Sequence, residues 1–158
     1  MRWREPLAPL VCARREGKTS DHVLLKTAAL IGKMRARYDA VVVEGVGGLL
    51  APVGEGATIW TNIEMSALCD ETILVARRTL GTVNHTALTV RAAQAAEIAV
   101  RGLVFCDATP VLPDDVAAET SPALCAEITG LPILGEVPFL PALDEAHLQH
   151  AQALLRWP

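Results

Sequence analysis

Apolar residues along the chain alternate between short, β-branched runs and longer stretches in which they recur every three or four positions. Short apolar runs are typical of strands buried on both faces, and the longer spacing is typical of amphipathic helices. The pattern predicts strands over residues 41–46, 72–76, 102–106 and 133–137. It predicts helices over residues 19–38, 61–69, 83–97, 114–129 and 144–155, with Gly130 ending the helix before it.

The order of these elements predicts the fold class. Strands joined through helices lie parallel in one sheet, and such crossovers are right-handed. We therefore expect an α/β fold of three layers, with a mostly parallel sheet flanked by helices. A length of 158 residues predicts a single domain spanning residues 1–158.

Composition and charge limit the classes of binding partner that we expect. Hydrophobic residues make up 51% of the chain, and the formal net charge of −4 leaves no polybasic surface, so neither nucleic acid nor an anionic membrane is an expected partner. No apolar run reaches the roughly 18 residues of a membrane span. The four cysteines are too far apart to form a CxxC pair, which predicts reduced thiols in a cytoplasmic protein: Cys12, Cys69, Cys106 and Cys125.

Glu44 is the most informative single residue. It follows three valines and precedes Gly45, Gly47 and Gly48. A carboxylate at the exit of a buried strand is costly unless a cation or hydrogen bonds compensate it, and strand exits form the ligand-binding edge of open α/β sheets. Glycines let backbone amides approach a ligand closely. The segment predicts a metal-binding or substrate-binding edge; the alternative is a glycine-rich turn whose Glu44 caps a helix or meets solvent.

A Gly-Lys-Thr sequence at residues 17–19 invites comparison with a phosphate loop. That motif needs a glycine five residues before the glycine of Gly-Lys-Thr, after a strand, and Cys12 stands there instead. Arg14 and Arg15 fill a loop whose amides would have to curl around phosphate. A strand at residues 10–13 would fit the motif, but we interpret the match as a chance Gly-Lys-Thr in a surface loop.

Three motifs together resemble the dethiobiotin synthetase family. They are Val-Glu-Gly-Val-Gly-Gly at residues 43–48, Leu-Gly-Thr-Val-Asn-His at residues 80–85, and Leu-Gly-Glu-Val-Pro at residues 134–138. Their order and spacing are similar to those of the family over nearly the whole chain. The resemblance implies a phosphate-loop NTPase-like fold, of which these residues correspond to the C-terminal two-thirds, without its first strand and phosphate loop.

The resemblance implies roles for the first motif. Its carboxylate, here Glu44, would help hold Mg²⁺ beside the phosphates of ATP, and carboxylate oxygens are ligands that this cation prefers. Gly47 and Gly48 would line the substrate, a small diamino carboxylic acid.

The resemblance also implies roles for the two later motifs. The turn formed by Gly81, Thr82, Val83 and Asn84 would bind the substrate carboxylate, for which a helix N-terminus is well suited. In the family this turn reaches across a homodimer interface. The alternative for Asn84 is a helix N-cap. Asp107 and Pro138 would contact the nucleotide.

The implied activity is the ATP- and Mg²⁺-dependent carboxylation and ring closure of 7,8-diaminononanoate to dethiobiotin, in biotin biosynthesis. We expect activity to need a phosphate loop from a missing N-terminal segment or a partner polypeptide. The alternative function is that of a non-catalytic homologue that binds a small carboxylate ligand or a partner subunit. A third possibility, a related partitioning or amidotransferase-like protein, is disfavoured by the motif at residues 80–85.

Overall fold

A computed structural model of the chain describes residues 3–156, which form two compact units. The first unit comprises residues 3–70 and 96–98, and the second comprises residues 71–95 and 99–156. None of the helices within residues 3–156 is long and apolar enough to cross a membrane.

The first unit combines three helices with one β-hairpin. Its elements, in order, are α1 (Pro9–Arg15), α2 (Val23–Arg35), β1 (Pro52–Glu55), β2 (Ile59–Thr61) and α3 (Asn62–Ser66). Strands β1 and β2 pair antiparallel.

Helix α1 packs against strand β1 and buries Leu10, Cys12 and Ala13. The loop between α1 and α2 approaches β1 so closely at Gly54 that a Cβ there would lie 2.8 Å from the carbonyl oxygen of Ser20. The neighbouring Glu55 N–H donates a hydrogen bond to the Ser20 hydroxyl at 3.2 Å. The core of this unit therefore lies between α1 and the hairpin.

The second unit contains a three-stranded parallel sheet. Its elements, in order, are β3 (Thr72–Ala76), α4 (Thr82–Ala95), β4 (Val100–Cys106), α5 (Val116–Thr129), β5 (Ile133–Val137) and α6 (Glu145–Ala153). The strand order is β3-β4-β5, and both pairings are parallel.

The core of this unit forms where helices meet the central strand. Leu103 and Phe105 of β4 are fully buried and pack with Cys125 of α5, and Val83 of α4 packs against the same cluster. Helix α5 begins at a side-chain cap, because the Asp115 carboxylate accepts the Ala118 N–H at 3.0 Å. The predicted α/β class, with a parallel sheet flanked by helices, is confirmed.

One predicted strand is wrong, and two features were not predicted. Residues 41–46 form no strand and pair with no neighbouring strand among the residues described, and Val42 is 87% exposed. A β-branched run becomes a strand only where a neighbour offers backbone partners, so propensity alone misled here. The unpredicted features are helix α1 and the β1–β2 hairpin, whose strands are four and three residues long and carry Pro52 and Gly54.

Candidate functional site

The loop that carries Glu44 is held by a buried asparagine. The Asn62 side chain, 5% exposed, donates hydrogen bonds to the carbonyl oxygens of Val46 at 2.9 Å and Gly48 at 2.8 Å, and it accepts the Val46 N–H at 3.3 Å. A Cβ on Gly45 would come within 3.2 Å of this side chain. Gly47 has φ of 72°, a conformation that favours glycine. Gly45 and Gly47 are therefore required by the conformation and packing of the loop.

Glu44 itself is exposed at the start of this loop. Across residues 3–156, no three His, Cys, Asp or Glu side chains converge to hold a metal ion by themselves. Mg²⁺ is commonly bound by one or two carboxylates together with waters and substrate phosphates. The donor chemistry of Glu44 therefore fits a Mg²⁺ ligand that acts with a nucleotide, and it does not fit an all-protein metal cage.

The second predicted turn lies at the start of α4. Gly81 has φ of 93°, and its carbonyl accepts the His85 N–H at 3.2 Å, which makes it the residue that precedes the helix. Thr82 is buried, Val83 is half-buried, and Asn84 is exposed. The N-cap interpretation of Asn84 is wrong, because the helix begins at Thr82 and places Asn84 inside its first turn.

A cleft of about 340 Å³ opens beside this turn. It is bounded by the end of β3 and one side of α4, and its lining includes Thr82, His85 and Thr86. A helix N-terminus leaves backbone N–H groups without partners inside the helix and favours negative charge. In the second unit, a cleft whose lining includes several apolar residues therefore lies next to a helix N-terminus that could bind an anion. Asn84 is absent from the residues that line the cleft.

Three charged residues form a network across the carboxyl ends of the second unit's strands. Arg78, which follows β3, donates from Nε to both carboxylate oxygens of Asp107 at 3.2 Å each, and from Nη2 to one of them. Its Nη1 donates to Glu136 of β5 at 3.3 Å. Asp107, which follows β4, is only 8% exposed. The hydrogen bonds to Asp107 raise the pKa of the Arg78 guanidinium above its ordinary value.

Asp107 and Pro138, the two residues assigned to the nucleotide by resemblance, lie side by side. The Asp107 N–H donates to the carbonyl of Val137 at 3.1 Å, directly before Pro138. A smaller cleft of about 230 Å³ lies against Asp107 and Arg78. The Asp107 carboxylate is therefore near an opening but is already engaged by Arg78.

Residues 17–19 do not form a phosphate loop. Residues 10–13 belong to helix α1 and not to the strand that such a loop would follow. Gly17, with φ of 62°, follows Glu16, the C-cap of that helix. Lys18 forms an ion pair with Glu16 and lies 5.6 Å from the centre of the Trp3 ring. The interpretation of a chance Gly-Lys-Thr in a surface loop agrees with this geometry.

Comparison with known proteins identifies the family. A family model described as an AAA domain matches residues 1–147. The chain belongs to this AAA-domain family. Its relatives include proteins named ATP-dependent dethiobiotin synthetase BioD. That of Bacillus velezensis is 33% identical over 150 residues, covering 94% of this chain and 61% of the relative. That of Bacillus subtilis strain 168 is 32% identical over 148 residues, covering 94% and 62%.

A third relative of the same name, from Anaeromyxobacter sp. strain Fw109-5, is 41% identical over 128 residues, which is 79% of this chain and 53% of the relative. The similarity to dethiobiotin synthetases that the three motifs indicated is confirmed. This AAA-domain chain spans about three-fifths of the length of the two Bacillus relatives that it matches.

Within this AAA-domain chain, the predicted site residues fall in both units. Glu44, Gly47 and Gly48 lie in the first unit, and the remaining site residues lie in the second: Gly81, Thr82, Val83, Asn84, Asp107 and Pro138. The sequence analysis did not identify Asn62. The only indication in the sequence is that this asparagine follows Thr61 at the start of a predicted helix. The sequence analysis also missed Arg78, which binds Asp107 and Glu136.

Proposed function

We propose that this chain takes part in the dethiobiotin synthetase reaction, the ATP- and Mg²⁺-dependent carboxylation and ring closure of 7,8-diaminononanoate. The observation that carries the proposal is the Gly81 turn, which begins helix α4 beside a cleft of about 340 Å³. The similarity to proteins named dethiobiotin synthetase supports it over most of the chain. The phosphate-loop residues would come from outside these 158 residues, in a longer protein or a partner polypeptide.

Each group of residues has a distinct task in this proposal. The N–H groups at the start of α4 bind the substrate carboxylate, with Asn84 as an additional donor. The peptide groups of Gly47 and Gly48 line the diamino end of the substrate. Glu44 would hold Mg²⁺, and the bound ion would supply positive charge against the negative charge that develops in phosphoryl transfer. Asp107 and Pro138 border the nucleotide.

We also propose a homodimer in the cytoplasm. In the dethiobiotin synthetase family the turn at residues 81–84 reaches across a homodimer interface, and Leu80, directly before that turn, is 91% exposed and so accessible to a second subunit. A ligand held partly by that subunit would also account for the absence of Asn84 from the residues that line the cleft. The four cysteines are free thiols, as expected in a reducing compartment.

One observation favours the alternative of a non-catalytic homologue that binds a small carboxylate or a partner subunit. Arg78 occupies both oxygens of Asp107, so the carboxylate assigned to the nucleotide already has a protein partner. One experiment distinguishes the two functions, because they predict different results. With a phosphate-loop polypeptide from a relative added, the first predicts formation of dethiobiotin from 7,8-diaminononanoate, bicarbonate and Mg-ATP, and the second predicts none.

The Asn84 side chain should contribute to carboxylate binding. Asn84→Ala should weaken binding of 7,8-diaminononanoate by about 1–3 kcal/mol, the scale of a hydrogen bond to a charged group. Because Asn84 is exposed within the first turn and does not cap the helix, the variant should keep the wild-type free energy of unfolding. Calorimetric titration measures the affinity, and thermal unfolding monitors stability.

The matched control is Gln94→Ala, which removes an exposed amide from the same helix far from the turn. It should bind the ligand as the wild type does. The methyl ester of the ligand supplies the second comparison, because it lacks the negative charge that the helix terminus favours. Equal affinity of the wild type for acid and ester would show that the turn does not bind a carboxylate.

Lys18 should play no part in nucleotide binding. The 158-residue chain by itself should bind Mg-ATP weakly or not at all, because helix α1 stands where a phosphate loop needs a strand and Lys18 is paired with Glu16. Lys18→Ala should leave that weak signal unchanged. Micromolar ATP affinity that disappears in Lys18→Ala would instead establish residues 17–19 as a phosphate-binding loop.

A further inference from the structure

The Asn62 side chain makes three hydrogen bonds to the loop that carries Glu44. Its two Nδ2 protons reach the carbonyl oxygens of Val46 and Gly48, and its Oδ1 accepts the N–H of Val46. Both the NH₂ group and the oxygen of the side-chain amide are therefore hydrogen-bonded. This pattern fixes the orientation of the amide, since a flipped side chain would place an oxygen against two carbonyl oxygens.

The position of Asn62 is itself fixed by its neighbours. Thr61, the N-cap of α3, accepts the Ile63 N–H at 3.2 Å, and Glu64 accepts the Thr61 N–H at 2.7 Å. This reciprocal capping box holds the first helical residue, Asn62, in one place. The side chain is 5% exposed, so water cannot easily replace the loop carbonyls as partners. A buried amide, fixed in place, is thus directed at a loop that pairs with no strand within residues 3–156.

From these contacts we infer that Asn62 is a positioning residue for the Glu44–glycine loop, residues 44–48. It holds the peptide groups of Gly47 and Gly48 in the conformation that meets the diamino acid. The inference rests on the proposed function for the identity of that ligand. The hydrogen bonds that hold the loop do not depend on the ligand.

Amide hydrogen exchange on the full chain tests the inference. In Asn62→Ala, exchange at the Val46 amide should rise at least tenfold, because its acceptor is lost. The Ala51 amide, which donates to the Gly48 carbonyl at 2.9 Å, should follow. The Cys12 amide of the same unit, which donates to the carbonyl of Ala8 directly before α1 at 3.0 Å, should keep its wild-type rate. Affinity for 7,8-diaminononanoate, measured by calorimetry, should fall at least tenfold.

Two further variants separate positioning from a general loss of stability. Asn62→Asp preserves the volume but replaces the two donated hydrogen bonds with a carboxylate oxygen facing two carbonyls, so it should open the loop as fully as Asn62→Ala. Asp144→Ala removes the cap of α6, where the carboxylate accepts the His147 N–H at 3.0 Å, and should leave exchange in the loop unchanged.

The inference is overturned if Asn62→Asp retains wild-type protection of Val46, since packing would then hold the loop. It is equally overturned if the loop opens and the affinity does not change. A wild-type chain that fails to bind the diamino acid would count against the proposed function instead, and the exchange rates would still decide whether Asn62 holds the loop.

Discussion

Replacing Arg78 with alanine should lower the free energy of unfolding of the second unit by about 2–3 kcal/mol. The substitution leaves the Asp107 side chain, 4% exposed, without the guanidinium that binds both of its oxygens. Removing one partner of a buried ion pair costs about 3–5 kcal/mol, and we expect a value below that range because the Arg78 side chain is 22% exposed. Urea unfolding at neutral pH measures the loss.

A second ion pair of the same unit provides the matched control. Arg101 donates to Glu71 at 2.7 Å, and both side chains are more than 40% exposed. Arg101→Ala should therefore cost less than about 1 kcal/mol. The substitution Arg78→Lys should fall between the two alanine variants, since it keeps the charge and loses the paired hydrogen bonds. If Arg78→Ala and Arg101→Ala were equally mild, the network at the strand ends would contribute little to stability.

The same network bears on nucleotide binding. If Asp107 must leave Arg78 in order to contact a nucleotide, then binding has to overcome the ion pair. If Asp107 contacts the nucleotide only through its backbone, beside Val137 and Pro138, the ion pair can stay intact. The Arg78→Ala variant distinguishes these cases, because only the first predicts tighter nucleotide binding after the substitution.

The second unit was largely predictable because its strands are apolar runs between clear helix signals. The predicted bounds of β3 and β5 match the structure, and β4 begins two residues early, at Val100. The charged residue Arg101 interrupts the apolar run from which the strand was predicted. Its side chain in fact extends outward to Glu71. Gly130, with φ of 70°, follows α5 as its sequence position predicted.

The first unit was less predictable because its elements depend on contacts between distant residues. The valines at residues 41–43 have strong strand propensity, yet propensity does not supply a neighbouring strand. Asn62 lies 16 residues from Val46 along the chain, so no local pattern could pair them. The resemblance indicated which loops matter, and the side chains that hold those loops emerged only from the structure.

Among residues 81–84, the proposed substrate turn, Gly81 should be the least tolerant of substitution. Its φ of 93° is a conformation that side-chain-bearing residues rarely adopt, and strain of this kind costs about 1–3 kcal/mol. The cost should be conformational and not steric, because a Cβ at Gly81 would have no contact closer than 4.0 Å, with His85. Gly81→Ala should therefore destabilise the chain, and Gly81→Val should do so more, since β-branching restricts the backbone further.

Binding and stability should separate in these variants. Gly32→Ala is the control, because Gly32 lies inside α2 with open space around it and a φ outside the left-handed region, so alanine should stabilise that helix by about 0.5–1 kcal/mol. Measured well below the melting temperature, Gly81→Val should lose affinity for 7,8-diaminononanoate, while Gly32→Ala should not. A Gly81→Val variant that is destabilised but still binds the diamino acid with wild-type affinity would show that the glycine shapes the helix start and does not contribute to the binding of the ligand.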